Sequence, residues 1–406
     1  MNFQPNSDLE NLPIFDRTGW IRVHFGDIVE NVNETERESM GEGIERFIGL
    51  EHLEPGSLHI RTWGNVADGT TFTRRCRPGQ VLFGKRRAYQ RKVAVAEFDA
   101  VVSGDIYVFA PKDDRLMPEL LPFICLSERF FQYAVETSAG SLSPRTNWKH
   151  LAEFEFDLPP LDQQRRIAEV LWAADEAEQN YGELLSSVKN FYKSQVSNFF
   201  FIASAKNKNG LFKPEWPTAQ LQQIIQPDAP IRYGIVQVGA NCDNGVPTVA
   251  IKDLSGDFST GVHRTSPAIE SQYLGSRIRS GDLLLSIKAT VGEVAVVPDN
   301  FEGNISRDLA RIRCNSDLDP RLLLHLFRSD QYRSYINKYI VGSTRKEISI
   351  HLLRKFEVPL PPKCESMAFM SSVTELESVI GAIQTNIRQV ATIKHALIDR
   401  IHSESS

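Results

Sequence analysis

Cysteine is scarce. The chain has 406 residues and five cysteines: Cys76, Cys125, Cys242, Cys314 and Cys364. They are odd in number, widely scattered, and form no Cys-x-x-Cys pair, which excludes a disulfide scaffold and a structural zinc site and points to a reducing, cytoplasmic setting. Long apolar runs are also missing. None approaches the 18 residues that would suggest a membrane-spanning helix, so no membrane partner is expected. The N-terminus, MNFQPNSDLENLPIF, has no basic region leading into an apolar one, so no secretory signal is expected.

Catalytic motifs are missing as well. GQVLFGKR at 79–86 has the spacing of a phosphate loop, but Arg86 stands where the Mg²⁺-binding Ser or Thr belongs, and a strand-like stretch follows. GEGIERFIG at 41–49 lacks the third glycine of a dinucleotide loop. No Asp-Pro-Pro-Tyr or Asn-Pro-Pro-Tyr loop occurs, and no acid stands two residues before any lysine, which removes half of a common nuclease motif. There is no Gly-x-Ser-x-Gly elbow, and no histidine pair has metal-ligand spacing. The chain is expected to be non-catalytic, with no metal and no cofactor of its own. Positive charge is not in excess either: the formal net charge is −5, so any nucleic-acid contact must come from local patches. Apolar content of 41% and charged content of 24% describe a soluble globular protein.

The chain does contain an internal repeat. FEFDLPP at 154–160 returns as FEVPLPP at 356–362, an offset of 202. The same offset relates Gly79 to Gly281, Pro118 to Pro320, and Gly140-Ser141 to Gly342-Ser343. An opening strand, WIRVHFGDI at 20–28, resembles WPTAQLQQI at 216–224 with an offset of 196, read as a second copy shorter by six residues before Gly281. Each copy reads as a mixed α and β unit, α/β or α+β, with short β-branched strands opened by glycine turns and helices after Pro118 and Pro320. A long helical pattern then follows each copy. In the first, Ile167, Ala174, Tyr181 and Val188 form heptad row a, and Val170, Ala177, Leu184 and Phe191 form row d. In the second, the rows are Phe369, Leu376, Ile383 and Val390, and Val373, Ile380 and Ile387. Each stripe needs a partner, and each supplies the other's. Two antiparallel coiled-coil helices with pseudo-two-fold symmetry are expected. The predicted organisation is a globular domain at 1–160, a spacer helix at 161–205, a second globular domain at 206–362 and a C-terminal spacer helix at 363–406. The first helix spans roughly 60 Å at about 1.5 Å per residue, nearly two turns of B-DNA.

Between Gly69 and Glu97 there is no acidic residue, while Arg74, Arg75, Arg77, Lys85, Arg86, Arg87, Arg91 and Lys92 crowd the window with Tyr89 among them. The pattern suits phosphate contact with some base readout, because arginine grips phosphates and guanine edges with two bonds; it also suits a solvated basic face. The second copy is thinner, with Lys288 and Thr290 at the matching place and Arg277 and Arg279 before them. Two polar loops, GSLSPRTNW and GSTRKEIS, add Ser141 and Arg145 in one copy and Ser343, Thr344, Arg345 and Lys346 in the other.

Two unequal units, each closing on LPPLDQQRRIAEVL or PLPP plus a helix, with GDLLLSIKATVGEVAVV and GSTRKEIS, resemble the DNA specificity subunit of type I restriction–modification systems. The resemblance covers essentially the whole chain. It implies two target recognition domains, each reading one half of a bipartite asymmetric site in double-stranded DNA. It implies that the helices dock two methyltransferase subunits, here assigned to Gln163, Gln164, Arg165, Ile167, Leu171, Phe369, Val373 and Leu376, and that restriction and translocation subunits join them. S-adenosylmethionine, ATP and Mg would then sit on those partners. PLPPKCESMAFM departs from the family's Gln-rich helix start at Lys363, Cys364 and Met367. Two alternatives stay open: the recognition subunit of a methylation-only or other defence complex, and a coiled-coil scaffold with no DNA role.

Overall fold

The computed structural model describes residues 15–35, 43–201, 211–256, 258, 260–316, 318–342 and 346–401. The chain divides into two compact units, Met1–Leu184 with Ile383–Ser406, and Leu185–Ala382. Each unit takes one half of the helix Leu161–Phe200 and one half of the helix Lys363–Ile401.

In the first unit the strand Ile21–His24 pairs antiparallel with Glu155–Leu158, Val23 opposite Phe156. This pair closes the globular part just before Pro159 and Pro160 end the strand and the long helix starts. An antiparallel sheet has the order Val29–Val32, Ile106–Pro111, Val81–Gly84, Val93–Val95. A second sheet sets Arg46–Ile48 parallel to Ala100–Val102. The strand VLFG is apolar at every position because both its faces are covered. Val81 and Phe83 enter an aromatic core with Phe25, Phe109, Phe130 and Phe154, while Leu82 points into a second core with Ile48, Ala94 and Val108.

The second unit repeats this plan. Thr218–Gln220 pairs with Glu357–Pro359, Ala219 opposite Val358. Its main sheet has the order Arg232–Tyr233, Leu309–Ile312, Leu283–Ser286, Val294–Val296. Leu283 and Leu285 face one core and Leu284 another. Details recur at an offset of 202. Gly79 and Gly281 both take positive φ, 86° and 80°. Ser127 caps Phe130 N–H, and Ser329 caps Tyr332 N–H. The matched pairs Val23/Phe156 and Ala219/Val358 verify the 196 offset, but they reverse its expected meaning. Val23 to Gly79 spans 56 positions and Ala219 to Gly281 spans 62, so the second copy is the longer one.

Within each unit the helix halves run antiparallel. In the first, Ile167, Ala168 and Leu171 share a core with Leu397, Ile398 and Ile401, and Lys394 bonds to Asp175 and Glu178. In the second, Phe199 stacks on Phe369 at 4.0 Å between ring centroids. Both predicted rows of the C-terminal helix are buried or half-buried throughout. Row d of the central helix is not: Val170, Leu184 and Phe191 are exposed. The covered row lies one residue later, at Leu171, Glu178, Leu185, Tyr192 and Phe199. An apolar-only heptad frame overlooks Glu178, a polar residue that belongs to the covered row because Lys394 reaches it.

Candidate nucleic-acid interface

The basic turn of the first unit is tied to its polar loop by main-chain bonds. Arg87 N–H donates to Pro144 O at 2.7 Å, Thr146 N–H donates to Lys85 O at 2.9 Å, and Arg86 faces Arg145 as an antiparallel bridge. The second unit has the same clamp 202 residues on. Ala289 N–H donates to Lys346 O, Ile348 N–H donates to Ile287 O, both at 2.9 Å, and Lys288 faces Glu347. Arg87 and Ala289 even share the left-handed conformation, φ 56° and 57°. This conformation is costly for residues with a Cβ and recurs at functional turns.

The side chains on the clamp differ. In the first unit Asp105 holds two guanidinium groups. Arg145 Nε donates to one oxygen at 3.0 Å and Arg86 Nη1 to the other at 3.3 Å, while Arg86 Nε also reaches Ser143 Oγ at 2.6 Å. The carboxylate therefore fixes both cations and leaves a net positive charge. Lys85 Nζ lies 4.8 Å from the Tyr107 ring centre, and burial pulls its ammonium below the usual lysine value. Arg87 is half-buried, and its Nε has no hydrogen-bond partner among the described residues. Tyr89, between the left-handed Arg87 and Arg91, is 55% exposed at the tip, and Ser141 is exposed on the loop.

Other residues of the basic window have partners within the unit. Arg74 donates to Ile106 O at 3.1 Å and Asn33 Oδ1 at 2.9 Å, with burial lowering its guanidinium. Arg75 pairs with Asp99 at 2.9 Å, Arg91 pairs with Glu128, and Lys92 Nζ donates to Leu50 O at 2.6 Å. In the second unit Lys288 lies 3.5 Å from Glu347, Thr290 is exposed, and Lys346 is exposed. Ser343, Thr344 and Arg345 lie outside the described residues.

The residues assigned to partner docking are mostly consumed inside their own units. Gln164 Nε2 donates to Arg115 O and Pro159 O, both at 2.8 Å, and its Oε1 accepts from Met117 N–H. Gln163 Oε1 accepts from Trp20 Nε1 at 2.7 Å, while its Nε2 donates to Asp16 O. Ile167, Leu171, Phe369 and Val373 are buried and Leu376 is half-buried, which leaves Arg165 exposed. The Gln-Gln pair thus joins the globular part to its helix: an amide side chain can satisfy the free backbone groups beside two prolines. The exposed large apolar residues of the helices are instead Leu161, Val170 and Leu184 in the first unit, and Phe191, Met367 and Val379 in the second.

Tyr233, Val236 and Arg307 are not among the residues that the sequence patterns single out. All three are exposed on the second unit, and Arg-Tyr immediately before a glycine was the available signal. Among the described residues no group of three or more His, Cys, Asp or Glu side chains could hold a metal ion, and no helix is long and apolar enough to cross a membrane.

Comparison with known proteins agrees with this geometry. A family model for the type I restriction modification DNA specificity domain matches residues 71–189 and 240–402. The EcoBI specificity subunit of Escherichia coli is 24% identical over 292 residues, covering 64% of this chain and 61% of that subunit. The MjaVIII specificity subunit of Methanocaldococcus jannaschii is 19% identical, covering 94% of this chain and 91% of that one. Two solved structures share the fold. One, from work on complex assembly and conformational transition of the type I R-M system, has a TM-score of 0.60 at 18% identity, covering 95% of this chain and 97% of that one. The other, a type I restriction–modification S subunit from M. genitalium, has a TM-score of 0.59 at 11% identity, covering 96% and 97%. With most of its length matched by the family model and the same clamp built twice, the chain belongs to the type I restriction modification DNA specificity domain family.

Proposed function

We propose that the chain is the DNA-recognition and assembly subunit of a type I restriction–modification complex, reading a bipartite asymmetric site. One observation carries this reading: the same hydrogen-bonded clamp occurs twice with different side chains on it. Equal frames build two units on one plan, and unequal side chains on and around those frames make the two half-sites dissimilar. The chain itself supplies binding and position. Methyltransferase subunits dock on its helices, where Val170 and Leu184 of one unit and Phe191, Met367 and Val379 of the other leave apolar surface uncovered. Restriction subunits join that assembly. S-adenosylmethionine, ATP and Mg belong to these partners, and helix length sets the gap between half-sites.

In the first unit Arg87 and Tyr89 face the DNA, with Arg86 and Arg145 as pre-oriented phosphate contacts. Co-expression with the cognate methyltransferase, followed by methylome sequencing, is expected to return one bipartite motif. Arg87→Ala is expected to weaken binding of that site by about 1–3 kcal/mol and to relax the motif in one half alone. Uniform weakening on all sequences, with a smaller salt slope, would instead make Arg87 a phosphate contact. No motif at all with the wild-type complex would reject the reading.

A further inference from the structure

The second unit keeps the clamp but carries fewer cations on it among the described residues. The hairpin turn is one residue shorter: Gly84 N–H donates to Lys92 O in the first unit, and Ser286 N–H donates to Glu293 O in the second. Ala289 stands at the place of Arg87, and Val291 follows where Tyr89 is displayed. Lys288 remains, beside Glu347, and Lys346 is exposed on the facing loop. A reader built like the first would have fewer cations to grip with.

Other groups of the second unit are available close by. Ile235 N–H donates to Ile305 O at 2.7 Å, and Arg307 N–H donates back to Ile235 O at 2.9 Å. The next residue, Asp308, has its carbonyl bonded by Ile287 N–H, at the base of the shortened turn. Gly234 fits only because it lacks a side chain: a Cβ there would lie 1.8 Å from Ile305 O. The segment Tyr233–Val236 is thus held rigidly against its neighbour, yet Tyr233 is 51% and Val236 41% exposed. Arg307 is 51% exposed, with Asp308 3.8 Å away. Among the described residues the first unit differs here: Asp105, which takes the matching bond from Lys85 N–H, is preceded by Gly104, and Asn33, level with Tyr233 in the sheet, accepts from Arg74 Nη2.

We propose that the second unit reads its half-site mainly with Tyr233, Val236 and Arg307 rather than with the turn at 286–293. This rests on the DNA-recognition reading above. A fixed backbone carrying an arginine, an exposed aromatic and an exposed branched side chain suits base edges. Arginine takes guanine O6 and N7 together, and an apolar group meets the thymine methyl. The pinned strand means that little ordering is needed on binding.

The test uses the complete complex with its methyltransferase, scoring binding and methylation on the wild-type site and on sites substituted in either half. Arg307→Ala is expected to weaken binding of the full site roughly 5- to 150-fold. It should relax the motif in the half opposite to that relaxed by Arg87→Ala, and Lys288→Ala should lose less. Arg307→Gly, which installs the first unit's residue, guards against misfolding and should behave as Arg307→Ala with an unchanged melting temperature. Unchanged binding and motif in both Arg307 variants would overturn the inference, as would a larger loss with Lys288→Ala. Failure of the wild-type complex to mark any bipartite site would overturn the underlying recognition reading instead.

Discussion

The two units solve the same seam differently. At an offset of 202, Asp175 corresponds to Glu377 and Lys394 corresponds to Tyr192. In the first unit this seam is charged. Lys394 Nζ lies 3.0 Å from Asp175 and also bonds Glu178, and Asp175 takes His59 Nε2 at 2.8 Å, whose other nitrogen meets Glu97 at 2.9 Å. Burial alone would raise the Asp175 carboxyl, but Lys394 and His59 outweigh it and hold it below the usual range. Burial likewise pulls Lys394 down, while Glu178 and Asp175 more than reverse that. In the second unit the seam is largely neutral. Tyr192 hydroxyl lies 2.6 Å from His325 Nδ1, and burial, reinforced by Arg328, drives the imidazole down to about 4. Arg328 and Glu377 stay 3.8 Å apart and partly exposed. One backbone plan therefore accepts either a paired-charge or an uncharged lining. The charged form is costly to break, because removing one partner strands the other in low dielectric.

That difference can be broken directly. Lys394→Ala removes the buried cation of the cluster and leaves Asp175 with His59 and Gln179 as partners, and is expected to cost about 3 kcal/mol. Tyr192→Phe in the second unit removes one neutral bond and should cost only about 1 kcal/mol. Urea unfolding, with hydrogen exchange over 383–401 and 185–200 to report each unit, checks both; equal losses would erase the contrast.

Acid should separate the units next. His325 has a folded value of about 4 against an ordinary 6.5, so its contribution is complete above pH 6.5 and is lost as pH falls toward 4. The gap corresponds to about 3 kcal/mol. Glu377, whose carboxyl burial raises, works the other way within the carboxylate range. Asp175 is depressed, so the first unit keeps that contribution in full above the carboxylate range and loses it only as pH falls through that range. Hydrogen exchange between pH 6.5 and 4.5 should loosen the second unit first, and His325→Phe should flatten that slope.

The smallest expected effect concerns the helix starts. Trp20 Nε1 has Gln163 as acceptor, whereas Trp216 Nε1 is buried with no partner among the described residues. Glu365 occupies the place of Gln163 in the repeat and lies exposed, because burying a carboxylate there would cost more than leaving the indole N–H unpaired. Glu365→Gln is expected to stabilise the second unit by about 1 kcal/mol, read as a raised melting temperature. No change would mean that the two helix starts are not equivalent.

Much of the architecture was legible because it is periodic. The 202-residue offset predicted matching glycine turns and closing strands, the serine caps keep the same offset, and both rows of the C-terminal helix are covered as their spacing implied. The central helix slipped by one residue at row d, since apolar spacing carries no information about a buried Lys-carboxylate cluster. The basic window was also visible. Which of its cations are spent was not: Arg74, Arg75, Arg91 and Lys92 find partners on segments far away in sequence. The Gln-Gln element showed its residue types and its place before a helix, but its inward direction depends on the globular part packed over it.

Local chemistry along the chain thus determined the repeat, the strands and turns within each copy, the two long helices and the absence of familiar catalytic motifs. These follow from side-chain periodicity, proline and glycine, whose effects reach only a few residues. Tertiary structure decided which charges pair, which helix face stays open, and that Arg307 stands beside Ile235 while Arg87 stands beside Pro144. Those outcomes depend on distances between residues tens to hundreds of positions apart, and such distances exist only once the cores have closed.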